Sequence, residues 1–114
     1  MSATGTPRIL ISRMSAIGDT ILTLPVASAL RSHFPDAFLA WVVEDRSSAV
    51  LRGHASLDAV FVLQRGWFTD PKAILRTRRL LRKQRFDATI DCQGMTKSSL
   101  ACYLSGARHR IGLR

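Results

Sequence analysis

One carboxylate, Asp19, stands where an acidic group can do chemistry. It follows a short apolar run (Ile9-Leu10-Ile11) and a small-residue stretch (Ser15-Ala16-Ile17-Gly18), and it precedes an apolar segment. That order predicts a strand entering a helix through a turn, and in open α/β sheets ligands bind at the carboxyl ends of the strands. A carboxylate there can take the proton of an attacking hydroxyl. It can equally cap the helix, since aspartate is among the best N-cap residues and contributes about 1 kcal/mol in that role. A second group is expected to face it: Asp91-Cys92-Gln93-Gly94, closing another apolar run, leads to Lys97 and Ser98. A cation in a helix's first turn opposes the helix dipole, a placement that an anionic ligand would reverse; a solvated surface lysine is the plainer alternative. Gln93 offers an amide to hydroxyls at a strand's end, although Gln93-Gly94 is also ordinary turn chemistry.

The turn through Ser15 and Gly18 presents backbone N–H groups at a helix start, which suits an anion or a sugar-phosphate edge. Gly18 is alone there, so neither the dinucleotide fingerprint nor the P-loop is present. His33, His54 and His109 have no ligand spacing, and Cys92 and Cys102 form no CxxC pair. The expectation is no metal, no cofactor, and reduced, largely buried thiols.

The elements that would carry these groups alternate along the chain. Strands are expected over residues 8–12, 37–43, 57–63, 86–92 and 108–113, and helices over 20–34, 47–52, 71–84 and 96–104. Ile21, Leu24, Ala27 and Leu30 mark the buried side of the first helix, and Pro25 is expected to bend it. Pro71 after Asp70 opens the third helix, which should pack through Ile74, Leu75, Leu80 and Leu81. Residues 1–7 read as a polar, disordered start, and residues 8–114 as one α/β domain. The pattern implies a Rossmann-like, doubly wound parallel sheet of order 3-2-1-4-5 with right-handed crossovers. Its switch point falls between strands 1 and 4 and brings the Asp19 and Gln93 loops to one crevice.

The chain has 17 Lys and Arg against 8 Asp and Glu, a formal charge of +9 over 114 residues. Such a balance favours anionic partners: nucleic acid, phosphorylated small molecules or an anionic membrane. The basic helix from Lys72 lacks the helix-turn-helix or aromatic-interleaved setting of a nucleic-acid reader. An anionic membrane surface fits better, at about 1 kcal/mol per basic residue, with Arg65, Trp67 and Phe68 beside it; the two aromatics could also simply seal the core. No signal-peptide pattern or membrane-length apolar run is evident.

Taken together, RILISRMSAIGDTILTLPVASALRSHFPDAFLAWVVE, FDATIDCQGMTKS and RIGL resemble the amino-terminal half of the bacterial lipopolysaccharide heptosyltransferases, glycosyltransferase family 9. The resemblance implies the amino-terminal part of a GT-B enzyme, which transfers heptose with inversion from ADP-heptose to a Kdo-lipid A type acceptor without metal. Asp19 matches the family's catalytic aspartate. The acceptor side would comprise Ser15 and Gly18 in the first loop, Gln93, Gly94 and Lys97 in the Q-G-x-x-K element, and Arg65 in a basic loop where Gly66 departs from the family pattern. The carboxyl-terminal domain, which would bind ADP-heptose, is expected to be missing, leaving a fragment inactive alone. Its setting would be cytoplasmic, peripheral on the inner face of the cytoplasmic membrane. The alternative is a non-catalytic basic α/β module that binds nucleic acid or another phosphorylated partner.

Overall fold

A computed structural model of the chain describes residues 7–14, 17–93 and 96–112. Strands β1 (Arg8–Ser12), β2 (Phe38–Glu44), β3 (Ala59–Leu63), β4 (Ala88–Asp91) and β5 (His109–Gly112) form one parallel sheet in the order β3-β2-β1-β4-β5, as the sequence implied. Helices α1 (Ile17–His33), α2 (Pro71–Lys83) and α3 (Thr96–Leu104) connect them, with 3-10 segments at Asp45–Leu51 and Trp67–Thr69.

Residues of β1 and β2 are apolar on both sides because both faces of the sheet are covered. On one face Leu10, Ala40 and Val42 pack with Leu81 of α2, Ala101 and Leu104 of α3, and Trp67. On the other, Ile11, Trp41 and Val43 pack against Ala27 of α1 and Leu51. Each large side chain so buried contributes roughly 1.5–3 kcal/mol. Trp67 is therefore a core residue, whereas Phe68 beside it stays largely exposed.

Several boundaries differ from expectation, and each difference matters at the site. Helix α1 starts at Ile17, so Gly18 and Asp19 lie inside its first turn and Asp19 is not the N-cap. Its sheet-facing side runs through Thr20 and Ala27, with Leu24 and Leu30 partly covered, while Ile21 and Ala29 face outward. The apolar pattern misled because Thr20 holds the buried position that an aliphatic residue usually marks. The helix continues through Pro25, which is exposed; lacking an N–H, it leaves the Ile21 carbonyl without a helical partner. In α2 the buried seam is Ala73, Thr77 and Leu81, spaced four apart, and Leu75 and Leu80 are exposed. Asp70 caps α2 by accepting from the Lys72 amide at 3.0 Å, with Pro71 at the first helical position. Strand β2 extends to Glu44, which is buried rather than part of a closing loop.

Ahead of β3, the carboxylate of Asp58 fastens the end of α1 to the sheet. It accepts from the Leu39 amide at 2.8 Å and from Arg31 at 2.7 Å, and Arg31 also donates to the Ser56 and Ala37 carbonyls. Burial alone would raise the Asp58 pKa, but the Leu39 amide and the Arg31 guanidinium outweigh it and hold the pKa below the ordinary aspartate value. A depressed folded-state pKa stabilises above the unfolded-state value and loses that contribution as pH falls through the folded one. Asp58→Asn is expected to lower stability by roughly 1 kcal/mol at pH 7, a modest figure because the pair is partly exposed. In urea unfolding, the gap between variant and parent should shrink as pH is lowered below about 4. A gap independent of pH would deny the carboxylate this role.

Candidate functional site

Strands β1 and β4 are neighbours, yet α1 and α3 leave them toward opposite faces of the sheet. The crevice this creates is bridged by a dense set of polar contacts. Cys92 N donates to the Ser12 carbonyl at 2.9 Å, and Met14 N donates to Gln93 Oε1 at 2.7 Å. Ser12 Oγ and Ser98 Oγ lie 2.8 Å apart, and Ser98 Oγ also reaches Asp91 Oδ1 at 2.8 Å. Asp91 further accepts from Ser99 Oγ at 2.6 Å and from the Gln93 amide at 3.0 Å. Residues 86 positions apart are thereby held in one wall.

Arg13, the first residue beyond β1, extends this bridge to Asp19. Its guanidinium donates to the Cys92 carbonyl and lies 3.4 Å from Asp19 Oδ2. The Arg13 side chain is mostly buried, while that of Asp19 is 57% exposed and open to a ligand. An acidic group in the first turn of α1 is also favoured by the helix dipole. Gly18 beside it is exposed, and a Cβ there would meet nothing within 4 Å, so packing gives no reason for glycine.

Lys97 is neither a solvated surface lysine nor set apart for an anion. Its Nζ lies 2.7 Å from Glu44 Oε1, and the two side chains are 19% and 6% exposed. The ion pair joins the start of α3 to the end of β2. Arg65, Glu44 and Lys97 line a cavity of about 370 Å³ together with Ile17, Asp45, Arg46 and Ser47. Of the residues singled out from sequence, Asp19, Gly18, Gln93, Lys97 and Arg65 thus gather at the carboxyl edge of the sheet. Gln93 does so in a structural capacity, since its Oε1 holds the Met14 amide. Ser15 and Gly94 lie outside the described residues.

Two members of the site were missed. Arg13 follows the strand directly, and as the first charged residue beyond it could have been suspected. Glu44 reads in sequence as the polar end of a strand, and nothing local signals its burial. Cys92 and Cys102 are free thiols. Burial pushes Cys92 up to about 11 against the opposing pull of Arg13, and it raises Cys102 as well. Among the described residues, no three His, Cys, Asp or Glu side chains gather as metal ligands would, and no helix is long and apolar enough to cross a membrane.

No family model matches the chain. It is 31% identical over 99 residues to lipopolysaccharide heptosyltransferase 1 of Salmonella typhimurium, a match covering 81% of the chain and 31% of that protein. The chain thus spans about a third of the length of the curated relatives it matches. Among solved structures, Escherichia coli heptosyltransferase WaaC with ADP superposes with a TM-score of 0.75 at 29% identity, over 93% of the chain and 35% of WaaC. A glycosyltransferase family 9 protein from Veillonella parvula superposes with a TM-score of 0.84 at 21% identity, over 94% of the chain and 32% of that protein, a likeness of fold.

Two measurements probe the site's construction. Lys97→Met leaves a buried carboxylate without its cation and should cost about 3 kcal/mol in urea unfolding. Adding Glu44→Gln to that variant should recover most of the loss; a single variant as stable as the parent would show the pair to be energetically idle. Cys92, held as the thiol, should alkylate about 100-fold more slowly at pH 8 than a free cysteine, with the rate rising steeply above pH 9.

Proposed function

The chain belongs to the lipopolysaccharide heptosyltransferase family, glycosyltransferase family 9, over the third of those proteins that it spans, and from that premise we propose that it is their amino-terminal, acceptor-side part. In this reading a whole enzyme transfers heptose from ADP-heptose to a Kdo-lipid A type acceptor with inversion. Residues 8–114 supply one wall of the cleft, and a carboxyl-terminal domain in cis holds the donor. It needs no metal or cofactor. The enzyme works in the cytoplasm, peripheral on the inner face of the cytoplasmic membrane, where the +9 charge of the chain favours an anionic lipid surface.

The observation that carries this reading is the exposed Asp19 carboxylate at the switch point, steadied on one side by Arg13. The acceptor hydroxyl oxygen attacks the anomeric carbon of the donor sugar as the bond to the diphosphate breaks. The diphosphate leaves with the bonding electrons, and the hydroxyl proton passes to Asp19. An ionised carboxylate performs this as general base once bond formation has acidified the hydroxyl. Developing oxocarbenium character at the sugar resembles that of glycoside hydrolysis. Arg65 and Lys97 border a cavity at the carboxyl edge of the sheet where an acidic acceptor would lie, and Gly18 leaves room above the helix start. Ser15 and Gly94 complete the proposed acceptor set.

The test extends the chain to the length of its relatives and introduces Asp19→Asn. Transfer from ADP-heptose should fall by about 10²- to 10⁴-fold, the range for losing a general base, with acceptor affinity retained. Undiminished transfer would remove Asp19 from the role. The 114-residue chain alone is expected to give no turnover, and measurable transfer by it would overturn the two-domain reading.

A further inference from the structure

Among the described residues, those with a left-handed backbone are Gly53, Gly66, Gly106 and one that is not glycine, Arg85, at φ 52°. Arg85 stands just past the end of α2, where its amide donates to the Arg82 carbonyl at 3.2 Å. Glycine is the usual residue at such a stop, because any side chain is strained there. A strained residue retained for its side chain points to work for that side chain. Arg85 lines a cavity of about 410 Å³ with Arg82, Arg108, Asp87, Ser105 and Gly106, beside the buried Phe86. This cavity lies at the amino edge of the sheet, where α2 and α3 end and β4 begins, opposite the edge that carries Asp19. A second, of about 510 Å³, continues from it along α2, and its whole lining is Arg78, Arg79, Arg82, Lys83 and Arg85. Gly106 is fitted to the first cavity twice over: its φ is 74°, and a Cβ there would stand 3.4 Å from the Arg82 guanidinium carbon. The structural duties that cations could perform here belong to another residue. Arg8 donates through Nε to the Gln84 carbonyl at the end of α2, and through its amide to Asp87 Oδ2 at 2.9 Å. None of the six cations in the two linings is in an ion pair among the described residues.

We propose that the two joined cavities are a binding site for a soluble ligand carrying two linked phosphates. Cations gathered this closely repel one another, and a polyanion reverses the sign of that interaction. Five of the six are arginines, whose planar fork of donors matches phosphate oxygens. Asp87 faces only the first cavity, where three cations less one carboxylate leave a charge of +2; the second has no anion to set against its five cations. A lone phosphate can meet one of these spaces. Two linked phosphates can take both, with Arg82 and Arg85, which line each, between them. A bilayer fits less well, because its phosphates lie in a plane whereas Arg82 is set between two helix ends against Gly106. The site is independent of the acceptor: Asp19, Arg65 and Lys97 lie at the other edge of the sheet, and the inference holds whatever the whole enzyme transfers.

The experiment titrates the 114-residue chain with pyrophosphate, orthophosphate and sulfate at equal ionic strength, by calorimetry and by urea unfolding. Pyrophosphate should bind at least about tenfold more tightly than either single anion and raise the urea midpoint as it saturates. Arg85→Gly should weaken pyrophosphate at least about fivefold. The same change should raise the ligand-free midpoint by about 0.3 M, because glycine relieves the left-handed strain. A ligand-free midpoint below the parent's would give Arg85 a structural role and overturn its place in the site. Arg79→Gln, on the exposed side of α2, should weaken pyrophosphate likewise, and it leaves the strained turn untouched. Arg65→Gln removes the same charge at the opposite edge and should leave the affinity within about twofold of the parent's. Equal weakening by Arg65→Gln and Arg85→Gly would reveal only the pull of a +9 chain on anions and overturn the proposal. Pyrophosphate held no more tightly than sulfate would do the same. Vesicles of phosphatidylglycerol and phosphatidylethanolamine form the last arm. Retention on them, with no heat on titrating pyrophosphate, would assign these arginines to a membrane and overturn the soluble ligand.

Discussion

The join between β1 and β4 is the constraint on which the remaining structure depends. Two adjacent parallel strands send their chains to opposite faces of the sheet, and beyond the bond from the Cys92 amide to the Ser12 carbonyl the backbone ladder can no longer hold them together. Side chains hold them instead, through Ser12 with Ser98, the Met14 amide with Gln93, and the Cys92 carbonyl with Arg13. Strand β2 is tied to the same loop, because the Glu44 amide donates to the Met14 carbonyl at 3.0 Å and Trp41 Nε1 to the Arg13 carbonyl at 3.2 Å. Asp19, Glu44 and Lys97 come from three separate elements. Their relative placement therefore follows from this one seam more than from any of those elements alone.

In a chain with twice as many cations as anions, what each carboxylate does is informative. Asp58 fastens α1 to the sheet, Asp70 caps α2, Asp87 accepts from the Arg8 amide, and Asp91 gathers serine hydroxyls. These four have structural duties. Asp19 and Glu44 differ from them in opposite ways: the first is exposed beside its cation, and the second is buried with one oxygen idle. An exposed carboxylate with accepting capacity left over is where a protein can meet a ligand, and of the two only Asp19 is open in that way.

Much of the fold is readable from the residues. Ile9-Leu10-Ile11 and the AFLAWVV run are too uniformly apolar for half-exposed strands, and their alternation with helical segments dictates a parallel sheet. The switch point follows from that order, and with it the meeting of the Asp19 and Lys97 loops. Reading Asp19 as a cap sets the start of α1 at Thr20, three residues late, because Ile17 to Asp19 already form its first turn. Glu44 and Lys97 are harder. Their contact spans 53 positions in sequence, and neither a strand-ending glutamate nor a first-turn lysine carries any local mark of the other. Gln93 falls where the strand order puts it, but an amide that could meet a hydroxyl instead meets a backbone N–H, and composition cannot tell those partners apart.

The double engagement of Arg13 divides the site into parts that can change and parts that cannot. One guanidinium serves both the Cys92 carbonyl and Asp19, so exchanging it to alter the charge around Asp19 would also loosen the wall between β1 and β4. Arg46 and Arg65 share no such obligation, being exposed at the cavity and in no ion pair among the described residues. Substitutions can accumulate at those two positions without disturbing the sheet. The architecture thus gives Arg13 two duties at once and leaves the two cavity arginines with none in the sheet.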